Sequence, residues 1–284
     1  MTLIMGMAKA EGIYLSADYR VTKHPSGKLV DDTATKFLTV TYPPDKTGPK
    51  ALIACTGLAF APDGTPMGTW LRETLRGESE VFDVSMSHLR DRLDRDIAPR
   101  RWPLIVNTLA VQGEKRYFGG MSNVAFTDES RRRTKVLDRF GYVMHDVGTG
   151  FMFANGSGAA TALAQGHLKR IHGQLSVRPR RVQDHMKLLA TVNRRVAAKA
   201  RTVSPHCHVS YVNADERTSP TSHVFTERGE TVPFEMPMLL FGVDLTDFTR
   251  HFFEQSERFF DSDGATPMEE LDVDAINEGL KRKP

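Results

Sequence analysis

The stretch from Thr2 to Thr22 constrains the fold more than any other. Two short apolar runs, residues 2–8 and 12–17, flank Lys9-Ala10-Glu11-Gly12. Strand-length runs around a polar turn containing Gly predict a β-hairpin. The second run leads into Asp18 and Arg20, and the first opens with Thr2 directly behind Met1. Met before a residue as small as Thr is generally removed, so the mature chain is expected to begin with a hydroxyl and a free α-amine on one residue. A hydroxyl is a weak nucleophile that needs a base within reach. An α-amine, with an ordinary pKa of about 7.7–8.0, can be neutral near pH 7 and accept the hydroxyl proton. Taken alone, Thr2 is an ordinary second residue; its surroundings give it weight.

Composition excludes several classes. The 284 residues are 40% hydrophobic and 26% charged, enough for one large domain or two small ones with a core that needs no staples. A net charge of +3 is too small to argue for nucleic acid. The basic runs Arg131-Arg132-Arg133 and 178–181 read as solvated loops. Cys55 and Cys207 form no disulfide pattern. No apolar run approaches the roughly 20 residues that span a bilayer, and no signal-peptide regions precede the hairpin. A cytoplasmic protein without membrane or nucleic-acid partners is expected.

Along the chain, 23–34 reads as a loop, 36–41 as a strand and 51–54 as a short buried strand. Thr65 is expected to cap a helix with Pro66 at its first position. A second helix spans about 84–97, where Met86, Leu89, Leu93 and Ile97 fall at helical spacing. Strands follow at 103–112 and 117–126, then a hairpin of 140–147 with 150–154 around Gly148-Thr149-Gly150. Helices are expected over 158–172 and 179–201, then strands at 208–212 and near 224. Runs of strands followed by runs of helices indicate an α+β class. Two packed sheets covered by helices on both outer faces would satisfy the order. Residues 227–284 stand apart as a C-terminal extension, with a Phe-rich helix at 246–260 and a mobile, charged tail.

The order of motifs resembles a proteasome β-type subunit, an N-terminal-nucleophile (Ntn) hydrolase. The residues that carry the resemblance are Thr2, the run Ala17-Asp18-Tyr19-Arg20-Val21-Thr22, Thr35-Lys36-Phe37-Leu38, Gly57 after an apolar strand, and Gly156-Ser157-Gly158 before a helix. They recur in order over roughly residues 2–215. The resemblance implies a four-layer α-β-β-α sandwich over 2–226 and a threonine peptidase working through an acyl-enzyme ester. It also implies a homo-oligomeric ring, no metal and no organic cofactor. It names peptide or unfolded protein as substrate and leaves open an ATP-dependent unfoldase partner.

By that resemblance Thr2 is the nucleophile, Lys36 the cation beside it and Asp18 the partner that keeps the cation charged away from water. The Gly57 N–H is the oxyanion donor, unless Gly57 is a plain turn glycine. Ser157 either caps its helix or hydrogen-bonds the amine. Val21, Cys55 and Ala59 are expected to wall the substrate pocket. Two departures stand out. Pro62-Asp63-Gly64 delays the helix expected after Gly57. Near Ser204, Arg201 occupies the place of an Asp that supports the nucleophile in many active members, leaving Asn193 or a His as a substitute, or the site inactive. The rivals are a small-molecule amidase of the same superfamily and a non-catalytic ring or scaffold subunit. His206-Cys207-His208 lacks the second ligand pair that a zinc site requires.

Overall fold

The longest apolar runs of the chain become strands buried on both faces. A computed structural model describes residues 2–246 apart from 24–27, 43–48, 78–80, 127–133, 165, 168–169, 171–172, 174–180, 216–217, 228–231 and 233–236. The fold is mixed α/β, with two large sheets and few helices. The Arg131–Arg133 loop, the Phe-rich helix at 246–260 and the charged tail lie outside the described residues, as does part of the expected 158–172 helix.

The five-stranded sheet runs in the order β10 (Met152–Gly156), β1 (Leu3–Lys9), β2 (Gly12–Asp18), β11 (Cys207–Asn213) and β12 (Thr221–Phe225), antiparallel throughout. The seven-stranded sheet runs β14 (Val243–Asp244), β13 (Met238–Leu240), β5 (Phe37–Thr41), β6 (Lys50–Thr56), β7 (Ile105–Gln112), β8 (Lys115–Phe126) and β9 (Thr134–Asp146). It is antiparallel except where β13 runs parallel to β5.

Side-chain alternation divides the core into three clusters. Leu3, Met5 and Met7 of β1 pack with Met186, Leu189 and Val196 of α4 (Val182–Ala197) and with Ala162 of α3 (Ala159–Ala164). From the opposite face of β1 and β2, Ile4, Ala8, Ile13 and Leu15 meet Phe37, Leu52, Ala54 and Leu109 of the other sheet. Ala51, Ile53 and Cys55 point the other way, under Trp70 and Leu71 of α1 (Met67–Leu75) and Met86, Leu89 and Leu93 of α2 (Phe82–Asp96). Burial of each large aliphatic side chain contributes roughly 1.5–3 kcal/mol, so these three seams outweigh any single polar contact.

Away from the chain start, the sheets are tied by Arg116, which is buried. Its guanidinium donates to the carbonyls of Lys9 (2.9 Å) and Ala10 (2.6 Å) in the β1–β2 turn, and to those of Gly113 and Lys115 in the β7–β8 turn. Nothing in the hydrophobic pattern marks this residue.

Four expectations are corrected. Residues 140–147 and 150–154 do not form a hairpin: β9 pairs with β8 and β10 with β1, so the Gly148 turn carries the chain from one sheet to the other. The segment 23–34 is not all loop, since β3 (Val21–Lys23) and β4 (Lys28–Asp31) form a two-stranded ribbon. Pro66, not Thr65, holds the N-cap of α1, because Thr65 is engaged in the preceding turn, its N–H on Asp63 Oδ1 and its carbonyl on Ala61 N–H. The stretch after 226 includes β13 and β14, which extend the seven-stranded sheet beside β5. Among the described residues no helix is long and apolar enough to cross a membrane.

Candidate active site

Thr2 and Asp18 are sixteen residues apart in sequence but meet because the hairpin register pairs Ile4 with Ala17. That register brings the start of β1 beside the end of β2. Asp18 is 1% exposed, and its carboxylate sits in a cage of donors. Oδ1 accepts from the Thr2 hydroxyl and from Leu3 N–H (2.8 Å). Oδ2 accepts from Ser204 N–H (2.8 Å) and Arg20 N–H (3.1 Å). A buried carboxylate needs such donors to remain charged.

Lys36 reaches the same point from the other sheet, immediately before β5. Its ammonium donates to Thr2 Oγ1 at 2.8 Å and to the Arg20 carbonyl at 2.6 Å, and lies 3.3 Å from Asp18 Oδ1. Burial draws the Lys36 ammonium below its ordinary range, while Asp18 pulls it back up. The Thr2 oxygen is thus placed between a carboxylate that accepts its hydrogen bond and a cation that favours its alkoxide.

The third side of Thr2 is built by the end of β10. Gly156 has φ of 90°, and a Cβ there would sit 2.1 Å from the Thr2 carbonyl oxygen. Only glycine lets the two backbones come this close. Ser157 Oγ then donates to that carbonyl at 3.4 Å, and Gly158 N–H donates to it at 3.4 Å.

Gly57, at the end of β6, is exposed and has φ of 110°. A Cβ on it would meet the Pro103 carbonyl oxygen at 2.4 Å. The position requires glycine for its backbone conformation and for the close approach of Pro103. Pro62-Asp63-Gly64 folds as a closed turn, with Gly64 N–H on the Ala61 carbonyl at 3.0 Å and a bridge between Phe60 and Pro66. The helix delay therefore leaves the start of α1 docked, its Met67 N–H on the Ala59 carbonyl at 2.9 Å.

The expected pocket walls are distributed unequally. Val21 is buried on β3 opposite Asp31, and Ala59 is half-buried. Cys55 is buried in the seam under α1 and α2, and burial pushes its thiol up to about 12, so it offers neither an open wall nor a thiolate. His206 and His208 join no larger cluster: among the described residues no group of three His, Cys, Asp or Glu side chains could hold a metal ion.

The structure also gives Arg20 and Asn193, both named from the sequence, contacts that the sequence did not point to. Arg20 pairs with Asp32 (2.8 Å) and donates to the carbonyls of Arg201 (3.1 Å) and Val203 (3.2 Å). Asn193, a buried polar residue on the apolar face of α4, donates to the Ser204 carbonyl at 2.7 Å. Asn193 was one of the substitutes named for the missing Asp, and it reaches the turn at Ser204. Arg201 is exposed and does not enter the carboxylate cage.

No protein-family model matches the sequence, and no curated protein matches it. Among solved structures the chain is similar to Anbu (ancestral beta-subunit) from Yersinia bercovieri, with 11% identity and a TM-score of 0.49, over 95% of this chain and 100% of that one.

Proposed function

We propose that this chain is a proteasome-like threonine peptidase of the N-terminal-nucleophile superfamily, built as a four-layer α-β-β-α sandwich. The three-seam core, helices against sheet, sheet against sheet and sheet against helices, supports the layering. One observation carries the activity: the Thr2 hydroxyl lies against Asp18 and 2.8 Å from the Lys36 ammonium, all three buried at the junction of the two sheets.

With Met1 removed, Thr2 Oγ1 attacks the substrate carbonyl and its proton passes to the Thr2 α-amine. Lys36 lowers the energy of the developing alkoxide, and Asp18 holds Lys36 charged. The Gly57 N–H receives the oxyanion. Collapse of the tetrahedral adduct breaks the C–N bond, and the α-ammonium returns the proton to the departing amine. Water, deprotonated by the same amine, then cleaves the ester and frees Thr2. No metal or organic cofactor takes part in this scheme.

The test combines intact mass with a β-lactone or epoxyketone probe. The purified chain should lack Met1, the probe should add to Thr2, and Thr2→Ala should abolish turnover while urea unfolding stays close to that of the native protein. A label on another residue, or none, would overturn the reading in favour of a non-catalytic subunit, for which Arg201 in place of an Asp is the favouring feature. The same reading makes the protein a closed homo-oligomeric ring that takes in peptide or unfolded chain, as symmetric oligomers commonly close. Light scattering should give a multiple of 31.8 kDa, and a particle of one chain's mass would contradict the ring.

A further inference from the structure

The turn from Arg201 to His206 is held from both sides. Arg20 clasps the carbonyls of Arg201 and Val203, Asn193 donates to the Ser204 carbonyl, and His206 N–H donates to Ser204 Oγ at 3.2 Å. Ser204 N–H in turn ends on Asp18. So fixed, the turn presents Thr202, half-buried, with its Oγ1 3.0 Å from Ser157 Oγ. The single proton of Ser157 is directed to the Thr2 carbonyl. Either hydroxyl of the pair could donate, but the Thr2 carbonyl only accepts, so when Ser157 bonds it the donor to Ser157 is Thr202 and the bonds run from Thr202 through Ser157 to Thr2.

We infer that Thr202 is a positioning residue for Thr2. It acts through Ser157, without touching the reacting atoms, and supplies with a neutral hydroxyl the support that Arg201 does not give. The inference rests on the reading of Thr2 as nucleophile. Ser157 has one rotatable bond to its hydroxyl, and without a second partner it would divide its time among rotamers. Thr202 selects the rotamer that pins the Thr2 carbonyl. That contact, with Gly158 N–H on the same oxygen, fixes the first peptide unit and hence the direction of Oγ1 and of the α-amine.

The test compares wild type, Thr202→Val and Thr202→Ser in probe labelling at Thr2 and in peptide turnover. Val keeps the shape and removes the donor. Labelling and kcat should slow by about tenfold, the worth of one hydrogen bond, with KM unchanged. Ser restores the donor and should recover most of the rate. Thr202→Val within about twofold of wild type, or Thr202→Ser as slow as Thr202→Val, overturns the role of the hydroxyl. If Val were to disturb the turn, the Ser variant, which keeps only the hydroxyl, still decides. Wild type unlabelled at Thr2 overturns the peptidase reading itself and this inference with it, whereas wild type labelled and Thr202→Val equally fast overturns this inference alone.

Discussion

Asp18→Ala is expected to lower stability by about 3–5 kcal/mol, the range seen when one member of a buried ion pair is removed. The substitution takes away the acceptor for three backbone amides, those of Leu3, Arg20 and Ser204, and leaves the Lys36 ammonium without its carboxylate. Lys36→Met is expected to cost much less, because the Asp18 carboxylate keeps its amide donors, and an anion hydrogen-bonded in this way is satisfied without a cation. The Asp18→Ala/Lys36→Met double variant should regain part of the loss by removing the uncompensated charge. The sign with pH follows from Lys36. Its folded value lies below the ordinary 10.5, so the unfolded chain binds more protons, and this group adds stability as pH rises. Without Asp18 the lowering deepens, so the deficit of Asp18→Ala should shrink between pH 7 and 10, measured by urea unfolding. Equal losses for Asp18→Ala and Lys36→Met would show that the ion pair, and not the amide cage, anchors this corner.

The difference between what this chain's sequence discloses and what its structure adds lies in the range of the contacts. The opening hairpin and the adjacency of Thr2, Asp18 and Lys36 are legible because polar residues interrupt apolar runs at strand-length intervals and the motifs fall in a known order. The sheet assignment of the later strands is not. Residues 140–147 and 150–154 look like a hairpin because a Gly-Thr-Gly turn joins them, and local turn chemistry cannot say that each strand pairs with a distant partner. Strands buried on both faces add to the ambiguity. Met5, Met7, Ile4 and Ala8 are all apolar, so alternation between the helix-side and sheet-side seams leaves no trace in polarity. The carbonyl-directed contacts of Arg20, Arg116 and Asn193 are invisible for another reason. A carbonyl is present at every residue, so which ones receive a guanidinium or an amide depends on the folded path alone.

That path also sets how the protein responds to acid. His208 is 1% exposed, on the face of β11 turned toward the second sheet, edge-on to Phe37 with ring centroids 4.1 Å apart. Its Nδ1 lies 3.4 Å from the Tyr19 hydroxyl. Burial, with a smaller contribution from His223, pushes the imidazole down to about 3 from the ordinary 6.5. The ring is neutral in the folded protein wherever the pH exceeds about 3, whereas the unfolded chain protonates it below 6.5. Between those values the unfolded state binds the extra proton. The stability that His208 contributes is therefore complete above about 6.5 and is lost progressively as pH falls toward 3. The span corresponds to about 5 kcal/mol in full, of which about 3 kcal/mol should be gone by pH 4.5. Carboxylates titrate in the same region, so the measurement is a difference. Urea unfolding of wild type and His208→Gln, followed from pH 7.5 to pH 4.5, should show wild type losing more. Gln retains an acceptor for Tyr19 and has no proton to gain. Parallel pH dependences for the two proteins would place the acid-sensitive group elsewhere, and a wild type that gains on the variant as pH falls would mean that His208 is protonated in the folded state, against the apolar seam that surrounds it.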